Sequence, residues 1–345
     1  MCEKPFLLAP MAELSHRALR ELIEGFGSCC DEYFTEMISA AALLGGGPLE
    51  KWYIDGGPRP EKLVYQLVGA DIGQITGAAA LLDRLECRGI DLNMWCCAPL
   101  IRKTGAGIAW MGSIDRAGAL VKSVRGVVKR RLSVKMRTGL TDDFEYLVKF
   151  CRRLEAEGVE LIILHPRTAK EKLKRRARWD YVGALQQELR IPVAGNGDIS
   201  GAEDLIARAG GDCDAVMVGR AAVRQPWIFA EARKNRTTED CCPADSLELH
   251  GGINVEEIGG RFLELLGRWQ PPEFHISRAR RFFALFCDNL KWGNYVKNLL
   301  NREETLSGME RAWHDYFKEN PLPYPSTSTP PPAGGAPVLH IPAAL

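Results

Sequence analysis

Between residues 6 and 234 the chain repeats one alternation eight times: a short, mostly apolar run, then a longer amphipathic stretch. The runs fall at 6–9, 32–35, 63–67, 90–94, 133–136, 161–164, 192–194 and 215–218. Short runs with little polar alternation read as strands of a parallel sheet covered on both faces. The stretches between them carry a helical period. Ile114, Ala117, Val121, Val124 and Val128 recur at steps of three and four, with Lys122, Arg125 and Lys129 on the other face and Ser113 placed as N-cap. Further helices are expected at 17–25, 72–84, 143–157, 181–189, 202–209 and 227–234. Eight strands alternating with helices predict an α/β fold of the (β/α)8 TIM-barrel type. A doubly wound open sheet is the alternative, weakened by the lack of a GxGxxG after the first strand.

After residue 234 the pattern changes. The next stretch is polar and rich in turn formers, and then Val255, Ile258, Phe262, Leu265 and Trp269 share one helical face. More helices are expected at 276–291, 295–302 and 305–319. The chain therefore divides into a barrel (1–240), a linker (241–253) and a small all-helical C-terminal domain (254–320). A Pro-rich tail (321–345) is expected to be extended or disordered.

Cysteine usage bears on the compartment. The 11 cysteines are an odd number, include the doublets Cys29-Cys30, Cys96-Cys97 and Cys241-Cys242, and form no CxxC. That resembles neither a disulfide framework nor a zinc knuckle, so no metal is expected. The first residues lack the pattern of a signal peptide, and no apolar run reaches the ~18 residues that would suggest a membrane span. A reduced cytoplasmic protein is the expectation.

In a barrel, residues just past each strand line the catalytic mouth. Here those positions hold Pro10-Met11-Ala12, Glu36-Met37, Gln66, Asn93 with Cys96, Lys135 with Arg137, His165 with Arg167, Asn196-Gly197-Asp198 and Gly219-Arg220. Gly197 and Gly219 would let backbone N–H groups approach an anion, Arg220 adds charge, and a helix start follows each loop, which suits a phosphate. Lys135 would put a cation into the mouth, or else pair with a neighbouring carboxylate. Gln66 and Asn93 are amides suited to a heterocycle edge or to structural capping. His165 reads either as a ligand contact or as a satisfied core histidine. A thiol with an ordinary pKa of about 8.5 is mostly protonated at neutral pH and can act as a general acid. Composition alone does not rank Cys96 over Cys97.

Charge placement adds a second signal. The whole chain carries a formal +1, yet residues 167–178 hold seven basic side chains against one acid. Residues 268–302 hold seven against two. Such clusters in a balanced chain suit a phosphate backbone, and the first overhangs the expected mouth.

Taken together, Ala9-Pro10-Met11-Ala12, Thr35-Glu36-Met37, Gln66-Leu67-Val68-Gly69, Asp91-Leu92-Asn93-Met94-Trp95-Cys96 and Val134-Lys135-Met136-Arg137 follow a known order. It continues through His165-Pro166-Arg167-Thr168, Gly195-Asn196-Gly197-Asp198 and Gly219-Arg220. These motifs, and the helical C-terminal segment, resemble the tRNA-dihydrouridine synthases. The resemblance implies a barrel that holds flavin mononucleotide (FMN) and reduces the C5–C6 double bond of uridines in tRNA, with NADPH or NADH as reductant. It implies that Pro10, Met11 and Ala12 contact the flavin, that Gln66, Lys135 and His165 meet its ring, and that Asn196, Gly197, Asp198, Gly219 and Arg220 hold its phosphate. Cys96 falls on the family's catalytic cysteine, giving a proton to C5 of uracil opposite the hydride delivered to C6. The RNA would be met by Asn93, Arg167, Lys172, Lys174, Arg175, Arg176, Arg178, Arg280 and Arg281.

Two positions depart from the family pattern. Trp95 stands where glycine is usual, adding bulk beside the site, and Cys97 stands where proline or a small residue is usual. Two other readings stay open on sequence grounds. One is an FMN barrel acting on a free pyrimidine, similar to a dihydroorotate dehydrogenase, which would not need the basic clusters. The other is a tRNA-binding protein without catalysis.

Overall fold

The computed structural model describes residues 3–171, 174–235 and 253–320. Most of the expected linker, the Pro-rich tail and Lys172 lie outside them. Eight parallel strands close into a barrel in chain order. They are β1 (Phe6–Leu8), β2 (Glu32–Ser39), β3 (Leu63–Val68), β4 (Gly89–Met94), β5 (Arg131–Gly139), β6 (Leu161–Thr168), β7 (Val193–Asn196) and β8 (Ala215–Val218). Closure is made by β1 on β8, with Phe6, Leu7 and Leu8 beside Val216, Met217 and Val218. That pairing rules out the open sheet.

Strands β2, β5 and β6 run further than the apolar pattern indicates, to Ser39, Gly139 and Thr168. The added residues include Glu36, Arg137 and Arg167, all buried. Their polarity reads as loop, but each is buried with a partner remote in sequence: Arg278 for Glu36, the Thr168 carbonyl for Arg137 and Asp198 for Arg167.

The barrel interior is layered by the two-residue period of a strand. Its lower part is apolar: Leu7, Phe34, Val64, Leu161, Ile163, Ala194, Ala215 and Met217 form one small cluster. Further along the same inward rows the side chains become polar, through Gln66, Asp91, Asn93, Ser133, Lys135, His165 and Asn196, all buried. A separate and larger apolar core lies between strands and outer helices. The helix Ile114–Arg125 follows its predicted period, burying Ala117, Leu120, Val121 and Val124, and Ser113 caps it by accepting from the Arg116 N–H. Asp71 and Asp143 cap the helices Ile72–Leu82 and Phe144–Ala156 in the same way. The helices Ala40–Gly45, Glu50–Tyr53 and Pro99–Lys103 are too short to show a period and escape the sequence reading, while Arg220–Arg224 supplies the helix start expected after Gly219.

The C-terminal domain comprises helices Val255–Trp269, Pro272–Phe286, Gly293–Asn301 and Leu306–Glu319. The second begins ahead of the expected position 276, with Pro272 in its first turn, where the missing N–H costs nothing. Its core is aromatic. Phe262 stacks on Phe282 at 3.6 Å between centroids, and Phe283 packs edge-on to Phe282 at 5.2 Å.

A buried ion pair fastens this domain to the barrel. The Arg278 guanidinium donates to Glu36 in the middle of β2 at 2.8 Å, with side chains 2% and 5% exposed. The other Glu36 oxygen accepts from the Glu13 N–H at 2.6 Å. Burial pushes the Glu36 pKa up while Arg278 pulls it down. Removing one partner of such a pair strands the other charge, so Arg278→Met should cost about 3–5 kcal/mol of stability in urea unfolding. Glu36→Gln with Arg278→Met should recover most of that loss. A double variant no more stable than Arg278→Met alone would show that the pair is not what holds the junction.

Candidate active site

The site is organised by a chain of hydrogen bonds across the barrel interior. Ser133 Oγ donates to Asp91 Oδ1 at 2.7 Å. Asp91 Oδ2 accepts from Gln66 Nε2 at 2.7 Å, and Gln66 Oε1 accepts from Asn93 Nδ2 at 2.9 Å. With its amide so oriented, Asn93 turns its oxygen to the loop and accepts from the N–H groups of Trp95 and Cys96 at 3.2 and 2.9 Å. From the other side, the Ile108 N–H donates to the Cys96 carbonyl at 2.9 Å. Gly107 permits this contact, since a Cβ there would meet that carbonyl at 2.5 Å. The loop at the end of β4 is thus held on both flanks of Cys96. The Cys96 side chain is buried, and burial raises its pKa above the ordinary thiol value, the nearby Ala98 backbone opposing. It stays protonated at neutral pH, as a proton donor must.

Beside this loop stand Lys135 on β5, His165 on β6 and Asn196 on β7. Lys135 Nζ donates to Asn196 Oδ1 at 3.0 Å, and Asn196 Nδ2 donates to the Met217 carbonyl at 2.8 Å. His165 Nε2 lies 3.0 Å from Arg167 Nη1, and Nδ1 lies 3.2 Å from Asn196 Oδ1. Arginine can only donate, so Nε2 accepts and Nδ1 carries the proton. Burial, with Lys135 and Arg137 nearby, takes the His165 pKa down to about 2, so the ring is neutral. Burial also brings Lys135 down to about 7, against the pull of Asp91. The Trp95 indole lies over these groups, 4.5 Å from Lys135 Nζ and 5.9 Å from the His165 ring.

The same mouth carries a glycine loop and a basic overhang. Gly197 adopts φ +125°, a conformation that favours glycine, and Asp198 follows at φ +54°. Arg167 is bidentate on Asp198 at 2.6 and 2.8 Å. It also donates through Nε to the Arg175 carbonyl at 2.5 Å. Asp198 accepts from the Ala177 N–H at 2.6 Å. The basic segment is thereby tied down beside β7, and Lys174, Arg175 and Arg176 face solvent without a carboxylate partner among the described residues. With Arg208 they line a shallow groove.

A family model described as dihydrouridine synthase matches residues 7–253. The chain belongs to the dihydrouridine synthase family. Similar proteins include a probable tRNA-dihydrouridine synthase of Mycobacterium tuberculosis, 33% identical over 342 residues, covering 94% of this chain and 85% of that protein. One of the same description from Aquifex aeolicus is 32% identical over 240 residues, covering 68% of this chain and 74% of its own length. A Mus musculus tRNA-dihydrouridine(47) synthase-like protein is 31% identical over 304 residues, 86% of this chain and 45% of the mouse protein.

The barrel brings most of the sequence-predicted residues into one cavity. Pro10, Met11, Lys135, His165, Asn196, Gly197, Asp198, Gly219 and Arg220 line it, together with Trp95. Ala12, Gln66 and Cys96 do not, Cys96 lying directly behind Trp95 of the cavity wall. Gln66 lies a layer below with both ends of its amide already bonded, so what it fixes is the orientation of Asn93. Asn93 and Arg167, expected at the RNA, turn inward to the loop and to Asp198. Arg178 pairs with Asp142 and Glu171, Arg280 with the carbonyls of Asn301 and Glu303, and Arg281 with Glu13. The sequence reading missed Asp91 and Ser133, although the spacing of Asp91 to Asn93 and of Ser133 to Lys135 marks one inward row.

An FMN can be tested against this cavity. The donor set fits: backbone at Gly197 and Gly219 and the exposed Arg220 suit a phosphate, and a cation and a neutral imidazole suit a heterocycle edge. Space does not, while the indole stays where it is. The cavity volume is about 140 Å³, against roughly 300–1,000 Å³ for small-molecule sites. Among the described residues no group of three His, Cys, Asp or Glu could hold a metal ion, and no helix is long and apolar enough to cross a membrane.

Lys135 gives a pH test. Unfolded, it keeps its proton to its ordinary 10.5; folded, it loses it near 7. In between, the unfolded chain binds the extra proton, so this lysine makes stability rise with pH from 7 towards 10. Lys135→Met should flatten that rise in melting temperatures taken from pH 7 to 9. Parallel curves for the two proteins would mean that Lys135 keeps its charge in the folded state.

Proposed function

We propose that this protein reduces the C5–C6 double bond of specific uridines in tRNA to dihydrouridine, holding FMN in the barrel mouth and using NADPH or NADH as reductant. The observation that carries this reading is a buried, two-sidedly anchored Cys96 directly after Trp95, whose indole lines one cavity with Lys135, His165 and the glycine loop. Bound FMN would supply the hydride to C6 of the uracil. Cys96 gives the proton to C5 from the opposite face, and Asn93 holds its backbone in place for that transfer. Lys135 offers a cation whose proton is easily kept or lost near neutrality, so negative charge in the cavity would hold it protonated. Neutral His165 is kept in one tautomer by Arg167 and leaves the local charge to Lys135. Gly197, Gly219 and Arg220 receive the phosphate.

A uracil inside an RNA stack cannot reach the bottom of this mouth, so the base must leave its stack. The solvent-facing Lys174, Arg175 and Arg176 offer a sequence-independent grip on the backbone around it. This basic groove favours tRNA over a free pyrimidine as substrate. All eight cysteines among the described residues are free thiols, which suits a reducing compartment such as the cytoplasm.

Two experiments test the reading. Cys96→Ala should bind FMN and tRNA as the parent does while dihydrouridine formation falls by about 10²–10⁴-fold, the usual worth of a positioned acid. Undiminished formation would place the acid elsewhere. Changing Lys174, Arg175 and Arg176 to Gln together should weaken tRNA binding and reduce its log–log salt slope by about 2–3. An unchanged slope would remove this groove from the RNA interface.

A further inference from the structure

We infer that the Trp95 side chain is a displaceable plug: its indole occupies the place between Lys135 and His165 that a planar heterocycle must take, and it swings out when one binds. The inference rests on the FMN reading above and deepens it. The indole sits 4.5 Å from Lys135 Nζ and 5.0 Å from the Arg137 guanidinium carbon, so two cations meet its ring. The His165 ring lies 5.9 Å away at 56° to it. It thus borrows the contacts that the cavity offers to a flat aromatic ligand.

Its seat is imperfect. The Trp95 Nε1–H is buried and has no hydrogen-bond partner, a costly condition for an indole. The backbone around it is fixed independently of the ring. Asn93 Oδ1 holds the N–H groups of Trp95 and Cys96, and Ile108 holds the Cys96 carbonyl. The side chain can therefore leave by rotation about its own bonds, without moving the thiol. With the indole in, the cavity is about 140 Å³, less than half of what a typical small-molecule site offers.

A plug lowers apparent affinity by the fraction of molecules in which the site is open, and removing it restores the intrinsic value. The test uses the full chain stripped of flavin, with FMN titrated by the quenching of its fluorescence. Trp95→Ala and Trp95→Gly, each checked for a melting temperature close to the parent's, should bind FMN at least tenfold more tightly. Trp95→Phe should fall between. In parent protein labelled with 5-fluorotryptophan, the Trp95 resonance, assigned by its loss in Trp95→Phe, should move on adding FMN. Equal Kd values for parent and variants overturn the plug and leave the flavin reading standing. Weaker binding by the variants would make Trp95 a stacking platform and also overturn it. If neither parent nor any variant binds FMN, the flavin reading falls, and the plug with it.

Discussion

The interior of this barrel is held in register by a row of polar side chains that satisfy one another. Ser133, Asp91, Gln66 and Asn93 come from three neighbouring strands, and each bond leaves the next group only one way to turn. The last of them decides where the Cys96 backbone lies. Buried polar groups are costly unless paired. A fully paired row is therefore rigid, and here the rigidity is passed to a loop that would otherwise be free. The apolar layer beneath it supplies stability; the polar layer supplies position.

Within that row and above it, electrostatics is set by burial more than by pairing. Asp91 is pushed up to about 6 by burial, with Ser133, Gln66 and Lys135 pulling it back. Lys135 is pushed down to about 7, and His165 is kept neutral. The mouth therefore holds groups whose charge can answer what enters it. Arg167 stays engaged with Asp198, so it organises loops instead of lending a free cation.

The strand positions were readable because burial on both faces leaves short apolar runs. Strand ends were less so. Glu36, Arg137 and Arg167 look like loop residues, and only their partners, remote in sequence, show why they stay in strands. The ordered motifs pointed to the family and to the cavity wall, and most of those residues do share one cavity. Gln66 and Asn93 were readable either as ligand contacts or as structural caps, and their hydrogen bonds go to Asp91, to each other and to the backbone of the loop after β4. No local pattern could reveal that. The direction of the Trp95 ring was equally hidden, because it is decided by Lys135 and His165 on strands that follow much later.

Closure of the barrel depends on pairing the first strand with the last, and the Val216 N–H donates to the Pro5 carbonyl at 3.0 Å across that seam. Contacts between segments so distant along the chain slow folding, since a long loop must close before they are gained. During synthesis, the ribosome must release everything through β8 before the seam can be sewn. Until then the N-terminal strand edge stays open, a state in which nascent chains are prone to self-association and in which chaperones have work to do.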